Sequence, residues 1–223
     1  MINWQINHEL KNFLLCYKNS KVLDFGCGDA RYKKFINENN EYIGVDSKNT
    51  GFENSKKFAD FYWDNKTLPF EDEKFDIIIC TEVLDDVEDI VLVTNELRRV
   101  LKNNGKIFIT MPFMFGEHDT PYDFRRFTSF GIKKFFEKQN FNIVDFKKML
   151  QGKNSIIQIM ESEFSRHSKS YNNKKFRFIS FFGLKIILAI VKLLFLFLPS
   201  NMFNNMHTSN LVILEKNKLT NPK

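Results

Sequence analysis

Cysteine is scarce in this chain of 223 residues: only Cys16, Cys27 and Cys80. Three thiols cannot all pair, and none has a partner at metal-ligand spacing. A disulfide scaffold and a zinc module are excluded, and no metal centre is expected. The pattern reads as reduced thiols of a cytoplasmic protein. Glycine (9) and proline (5) are also few, and there is no repeat or low-complexity linker, so collagen-like and tract-built architectures fall away. The opening MINWQINHELKNFLL lacks the apolar region of a signal peptide, which points to a core domain on the cytoplasmic side. Tryptophan is rare (2) beside 26 phenylalanines. A surplus of Phe, Lys, Asn and Ile is what AT-rich coding produces and carries no functional weight. Disorder is excluded by a hydrophobic fraction of 43%. A chain this long buries about 70% of its unfolded surface, so a core alone can hold it.

What is present is an alternation of strands and helices. Residues 5–18 carry Ile6, Leu10, Phe13, Leu14 and Tyr17 at helical spacing. Strands are expected at 21–25, 41–45, 58–62, 75–80, 106–111 and 141–148, the fourth a continuous apolar run of the kind buried on both faces of a parallel sheet. Helices are expected at 31–39, 89–101 and 129–139, with Asn104–Gly105 as a turn and Thr128 or Ser129 as an N-cap. This order predicts a doubly wound α/β sheet. After Leu150 come a helix over 154–169, a basic connector over 171–177, an apolar run over 178–198 ending at Pro199, and a last strand over 209–216. Three units follow: 1–149 core, 150–208 helical insertion, 209–223 returning strand and tail.

The sharpest motif is Val22-Leu23-Asp24-Phe25-Gly26-Cys27-Gly28-Asp29-Ala30, a strand running into a glycine turn. Glycines there let the backbone approach a ligand at the carboxyl end of a strand. Asp46 ends the next strand, where an acid can accept hydrogen bonds from ribose hydroxyls. Arg31 stands where a dinucleotide fingerprint needs its third glycine. In combination these segments resemble the class I S-adenosylmethionine-dependent methyltransferases, and within them the type 11 group, from about Lys21 to Asp145 with the strand at 209–216. The resemblance implies a Rossmann-like seven-stranded sheet with its last strand antiparallel, and S-adenosylmethionine as cofactor. It assigns the cofactor to Asp24, Phe25, Gly26, Cys27 and Gly28, to Asp46 and Ser47, to Trp63 and Asp64 of WDNKTLPF, and to Thr81 and Glu82 of FDIIICTEVLDDVED. Cys27 and Cys80 read as packing residues.

Many members of that family carry Glu-His where this chain has Asp85-Asp86. Asp85 is a candidate for the substrate. Asp86 is expected to cap the next helix, since acids favour helix N-termini. The loop after the fifth strand contains His118, Pro121, Asp123, Arg126 and Thr128. This resembles the His-x-x-Pro-x-Asp-x-x-Arg-x-Thr loop of methyltransferases from bacterial surface-polysaccharide gene clusters. His118 is the candidate base, with an ordinary pKa near 6.5 suited to neutral pH. Tyr122, Arg125 and Arg126 are substrate candidates, the guanidinium fork matching a sugar or phosphate oxygen, while Asp123 and Arg126 also suit a pair that fixes the loop.

The formal net charge of +6 is placed unevenly. Residues 150–208 hold eight Lys/Arg and two Asp/Glu, and the rest of the chain is neutral at 25 of each sign. Nucleic acid would explain the charge alone. An anionic membrane surface explains charge and hydrophobicity together, so 174–198 is the expected membrane contact and no nucleic acid is expected. As a helix, 178–198 would span about 31 Å, against about 30 Å of hydrocarbon. Lys185 and Lys192 would cost about 2.5–3.5 kcal/mol each and sixteen Leu, Ile, Phe and Val would return roughly 5–10 kcal/mol, so hydropathy does not decide. A single crossing would strand 209–216 on the wrong side of the membrane. A helix broken at Gly183, lying in the interface with its lysines toward headgroups, is therefore favoured over one docked on the core, in a dimer, or spanning. The expected activity is O-methylation of a saccharide or lipid-linked glycan at the inner membrane face. Rival readings are a small-molecule or quinone methyltransferase with an apolar lid, a nucleic-acid methyltransferase, and a cofactor-binding scaffold without turnover.

Overall fold

The computed structural model describes residues 2–47, 58–170, 172–199 and 201–217. Seven strands form one sheet: β1 (Lys21–Phe25), β2 (Glu41–Ser47), β3 (Phe61–Trp63), β4 (Phe75–Thr81), β5 (Leu101–Pro112), β6 (Phe141–Gln151) and β7 (His207–Lys216). Their order is β3-β2-β1-β4-β5-β7-β6. The first five run parallel, and β7 lies antiparallel between β5 and β6.

Residues of β4 alternate between the two faces, as the two-residue period of a strand requires. Ile77 and Ile79 pack with Ile6, Leu10 and Leu14 of α1 (Ile2–Leu14) on one side. Ile78 and Cys80 pack with Val93 and Leu97 of α2 (Ile90–Val100) and Ile132 and Phe136 of α3 (Ser129–Lys138) on the other. Each fully buried Ile or Leu contributes about 1.5–3 kcal/mol. Both faces of the sheet are therefore covered, and the ligand edge is left at the carboxyl ends of β1, β2, β4 and β5.

Several boundaries differ from the sequence expectation for local reasons. The helix expected over 31–39 is only a 3-10 turn, Lys33–Phe35. Tyr32 is the one buried residue there, too little to fix an amphipathic face. Asn37 and Asn40 also take backbone N–H groups of Asn39 and Ser20 with their side chains, the usual competition with helix. α1 begins and ends three to four residues earlier than expected, and β3 is confined to Phe61–Trp63. The Asn104–Gly105 turn does not precede β5 but lies inside it, where pairing jumps from Phe75–Leu101 to Ile77–Lys106.

The insertion is a helical hairpin, α4 (Lys153–Ser170) and α5 (Lys174–Leu196). The expected basic connector is shorter than predicted, because the helix already includes Lys174–Arg177; Tyr171 lies outside the described residues. α5 also runs unbroken through Gly183. One narrow seam of α5 (Ser180, Leu184, Leu188, Val191, Phe195) is sheltered against α4. The opposite face (Ile179, Phe182, Ile186, Ile190, Leu193, Phe197) is exposed. The lysine stripe does not stand free: Lys192 pairs with Glu161 of α4 at 2.7 Å and Lys185 lies over the Phe181 ring.

Candidate active site

The glycine turn after β1 is hooked to β2. Gly26 and Cys27 donate their N–H groups to Val45 O, and Gly28 donates to Asp46 Oδ2 at 2.8 Å. Asp46 Oδ1 accepts from Ser47 N, so the carboxylate is held by its own strand end. The two glycines differ in kind. A Cβ on Gly26 would stand 2.3 Å from Val83, whereas no described residue lies within 4 Å of one on Gly28. Gly26 is thus required by packing, and Gly28 is left uncrowded by the described residues at the ligand edge. Both have positive φ, which favours glycine.

The other expected cofactor residues take varied places around this turn. Trp63 is buried edge-on to Phe25, and its Nε1 has no hydrogen-bond partner. Asp64 is exposed at the end of β3, where its Oδ1 accepts from Lys66 N and Thr67 N, and these bonds hold its carboxyl below the ordinary range. Thr81 is buried. Glu82 follows it in a left-handed conformation, φ +51°, strained for a non-glycine residue. Its Oε2 accepts from Ser209 Oγ while Oε1 is buried without a partner, and burial pushes its carboxyl up to about 7. Asp24 lies one layer below: 1% exposed, it accepts from Tyr42 Oη at 2.8 Å, and burial pushes it up to about 7. Cys27 is buried and raised to about 12, first by desolvation and then by Asp24, so it is an inert packing thiol.

Beside this edge, the loops after β4 and β5 meet. His118 Nε2 lies 3.6 Å from Asp85 Oδ2. Asp123 Oδ2 accepts from His118 N at 3.0 Å, and Arg126 forks onto both oxygens of Asp123. Asp123 and Arg126 therefore hold the loop, and Arg126 also reaches within 3.9 Å of Asp85. Asp85 is fully buried, and neither of its oxygens has a hydrogen-bond partner among the described residues. Burial raises Asp85 to about 6, and burial together with the neighbouring Asp85 raises Asp86 to about 8.

Two expectations change here. Asp86 does not cap α2; Asp89 does, accepting from Leu92 N at 2.9 Å, because the chain needs Asp86–Glu88 to cross from the sheet edge to the helix start. Arg125 is not turned to a ligand, since its guanidinium is taken up by the carbonyls of Leu84, Val87 and Glu88. It clamps the β4 loop to the β5 loop. Tyr122 stays partly exposed at the rim.

Sequence reasoning missed the part played by α4. Arg166 donates to Glu117 O, and a Cβ on Gly116 would stand 2.3 Å from Glu163 Oε1. The insertion thereby pins the His118 loop. It also missed Asn210, fully buried in the last strand, which donates to Phe127 O at 2.9 Å; an amide directly before the apolar run Leu211–Leu214 was the available signal. Two surface clefts of about 630 and 560 Å³ lie elsewhere, and neither is lined by the glycine turn or the Asp85 group.

Residues 23–109 match a family model described as a methyltransferase domain. A demethylmenaquinone methyltransferase of Staphylococcus saprophyticus is 36% identical over 99 residues, 40% of this chain and 42% of that protein. A ubiquinone biosynthesis O-methyltransferase of Bartonella quintana is 32% identical over 112 residues, 44% and 43% of the two. The chain thus spans less than half the length of these curated relatives. In fold it is similar to Haemonchus contortus phosphoethanolamine N-methyltransferase 2 in complex with phosphomonomethylethanolamine and S-adenosylhomocysteine, with a TM-score of 0.58 at 16% identity, covering 96% of this chain and 53% of that one.

Proposed function

With residues 23–109 belonging to the class I S-adenosylmethionine-dependent methyltransferase domain family, we propose that the protein methylates a hydroxyl of an amphiphilic acceptor, a lipid-linked glycan, at the inner membrane face. The observation that carries the methyl-donor part of the reading is the Asp46–Gly28 contact at 2.8 Å, with no described residue within 4 Å of a Cβ on Gly28. These residues fit a nucleoside cofactor: the glycine backbone is approachable, Asp46 is fixed where ribose hydroxyls would donate, and the buried Trp63 Nε1 and Glu82 Oε1 lack partners. S-adenosylmethionine, when bound, supplies a sulfonium methyl group for in-line displacement.

The chain's own contribution is position and proton management. Asp46 and the glycine turn hold the nucleoside. Asp123 and Arg126 fix the His118 loop, while α4 closes over it through Arg166. In the ion-free protein Asp85, raised to about 6, is ionised at neutral pH beside His118 Nε2 and can take the proton of an acceptor hydroxyl, while Asp86, raised to about 8, keeps its own. The exposed apolar face of α5 and the basic surplus of the same segment support a bilayer as its covering. The return of β7 into the sheet supports a helix lying in the interface rather than crossing once.

A second reading, a quinone acceptor under an apolar lid, draws on the quinone-methylating relatives. Two measurements separate the readings. Calorimetry with S-adenosylhomocysteine should give one site per chain, weakened about 10- to 100-fold in Asp46→Ala through the loss of charge-assisted hydrogen bonds. Mass spectrometry of a deletion strain should show a methyl group missing from surface glycans. Its loss from quinones instead would establish the second reading. An unchanged methylation profile with intact cofactor binding would point to a scaffold.

A further inference from the structure

We propose that Asp85, Asp86 and His118 form a binding site for a divalent transition-metal ion, with Asp123 orienting the histidine. Ligand atoms from all four side chains lie within 4.8 Å of one another. Proximity of acids alone would mean little. What points to a ligand is that Asp85 is 0% exposed, yet neither Oδ1 nor Oδ2 has a hydrogen-bond partner; Oδ1 of Asp86 is also buried and unpartnered. An unpaired buried carboxylate is costly, and a metal ion is one of the few things that offsets it. The protein's own cations offset it only in part: Arg126 stands 3.9 Å from Asp85 and is already forked onto Asp123.

The histidine is arranged as a metal ligand would be. His118 Nδ1 lies 3.3 Å from Asp123 Oδ2 and 3.3 Å from Gly116 O, two acceptors that favour a proton on that nitrogen. Arg126 Nη2 also lies 3.2 Å from Nδ1; it carries two N–H groups, one donated to Asp123 and one that Nδ1 can accept in the ion-free protein. An ion selects the form with the proton on Nδ1; Nε2, which faces Asp85 Oδ2 at 3.6 Å, too far for a hydrogen bond, is then bare and can ligate. A carboxylate behind a ligating imidazole is the usual outer support of such sites. Imidazole with carboxylates suits Mn²⁺, Fe²⁺ or Zn²⁺ better than Ca²⁺. An ion here would occupy the acceptor side of the ligand edge and hold an acceptor oxygen by its remaining coordination positions. Ion binding stands without the methyl-transfer reading; only the role toward the acceptor rests on it.

The test is titration of Mn²⁺ into the chelator-treated full chain, read by calorimetry and by loss of the free-ion electron paramagnetic resonance signal. One ion per chain is expected, with a rise in melting temperature. Asp85→Asn and His118→Ala should each weaken binding about tenfold or more, while Asp72→Asn, at a distant exposed acid, should leave it unchanged. Circular dichroism checks that each variant is folded, and Asp86→Asn replaces any that is not. No saturable binding at millimolar Mn²⁺, or equal affinity in Asp85→Asn, overturns the site. Titrating S-adenosylhomocysteine into the same preparation separates the two readings. A chain that binds Mn²⁺ but not the nucleoside keeps the ion and loses methyl transfer. The reverse result loses the ion only.

Discussion

His118 Nε2 and Asp85 Oδ2 stand 3.6 Å apart although they belong to loops after different strands. The β4 loop supplies the carboxylate and the β5 loop supplies the imidazole. Two aspartates stand side by side on the first loop, and the histidine that faces them comes from the second. Arg125 fixes that approach by clamping the two loops together through three carbonyls.

The two glycines of the β1 turn should respond differently to alanine. Gly26→Ala places a methyl 2.3 Å from Val83 and demands a left-handed alanine. It should cost more than the roughly 1–2 kcal/mol of the backbone term alone. Gly28→Ala meets no neighbour and should cost only that backbone term, while projecting a methyl into the nucleoside's space. Denaturation midpoints with S-adenosylhomocysteine titrations check this pair: Gly26→Ala loses stability first, Gly28→Ala loses affinity first.

Stability should fall as pH rises from 5.5 to 8.5 in ion-free buffer. Asp24 and Glu82 are raised to about 7 and Asp86 to about 8. Unfolded carboxylates titrate near 3.9–4.3 by ordinary values, roughly. The folded chain therefore keeps protons that the unfolded chain has lost, and this contribution disappears as pH passes through the folded values. Each raised group loses about 1.4 kcal/mol per pH unit up to its folded value, and each kcal/mol lost lowers the melting temperature by about 2–4 °C in a chain of this size. Asp24→Asn should flatten the slope. Below about pH 4 the trend reverses, because the Arg126 guanidinium holds Asp123 below the usual carboxylate range.

Replacing Arg126 should loosen the His118 loop. Its side chain is 23% exposed and its partner Asp123 only 4%. Arg126→Ala leaves a nearly buried carboxylate without its fork, at a cost of about 1–3 kcal/mol. Arg126→Lys should recover only part of this, since an ammonium cannot span both oxygens. Urea midpoints at neutral pH would show the order wild type, lysine, alanine.

Substitutions on α5 should sort by face. Ile186→Glu and Ile190→Glu lie on the exposed side. They should leave stability within about 0.5 kcal/mol of wild type and abolish co-sedimentation with anionic vesicles. Leu188→Glu faces α4 at 8% exposure and should unfold the hairpin. Equal vesicle binding in all three would remove the bilayer from the proposal.

The sequence by itself determined the sheet. Apolar runs such as Phe75–Thr81 and the glycine turn after Lys21–Phe25 are local signals, and strand position follows from them. It also placed Asp46 beside the turn, because consecutive parallel strands end at one edge. It marked the whole charge surplus as belonging to the insertion. Tertiary structure decided the rest. Whether Asn37 and Asn40 close turns or join a helix depended on Ser20 being near. Asp86 looked like a cap until Asp89 took that place. The acid–histidine group has no sequence spacing to read, since it forms only where two loops and α4 converge. Burial is what leaves Asp85 without a partner, and burial is a property of the folded surroundings rather than of any residue.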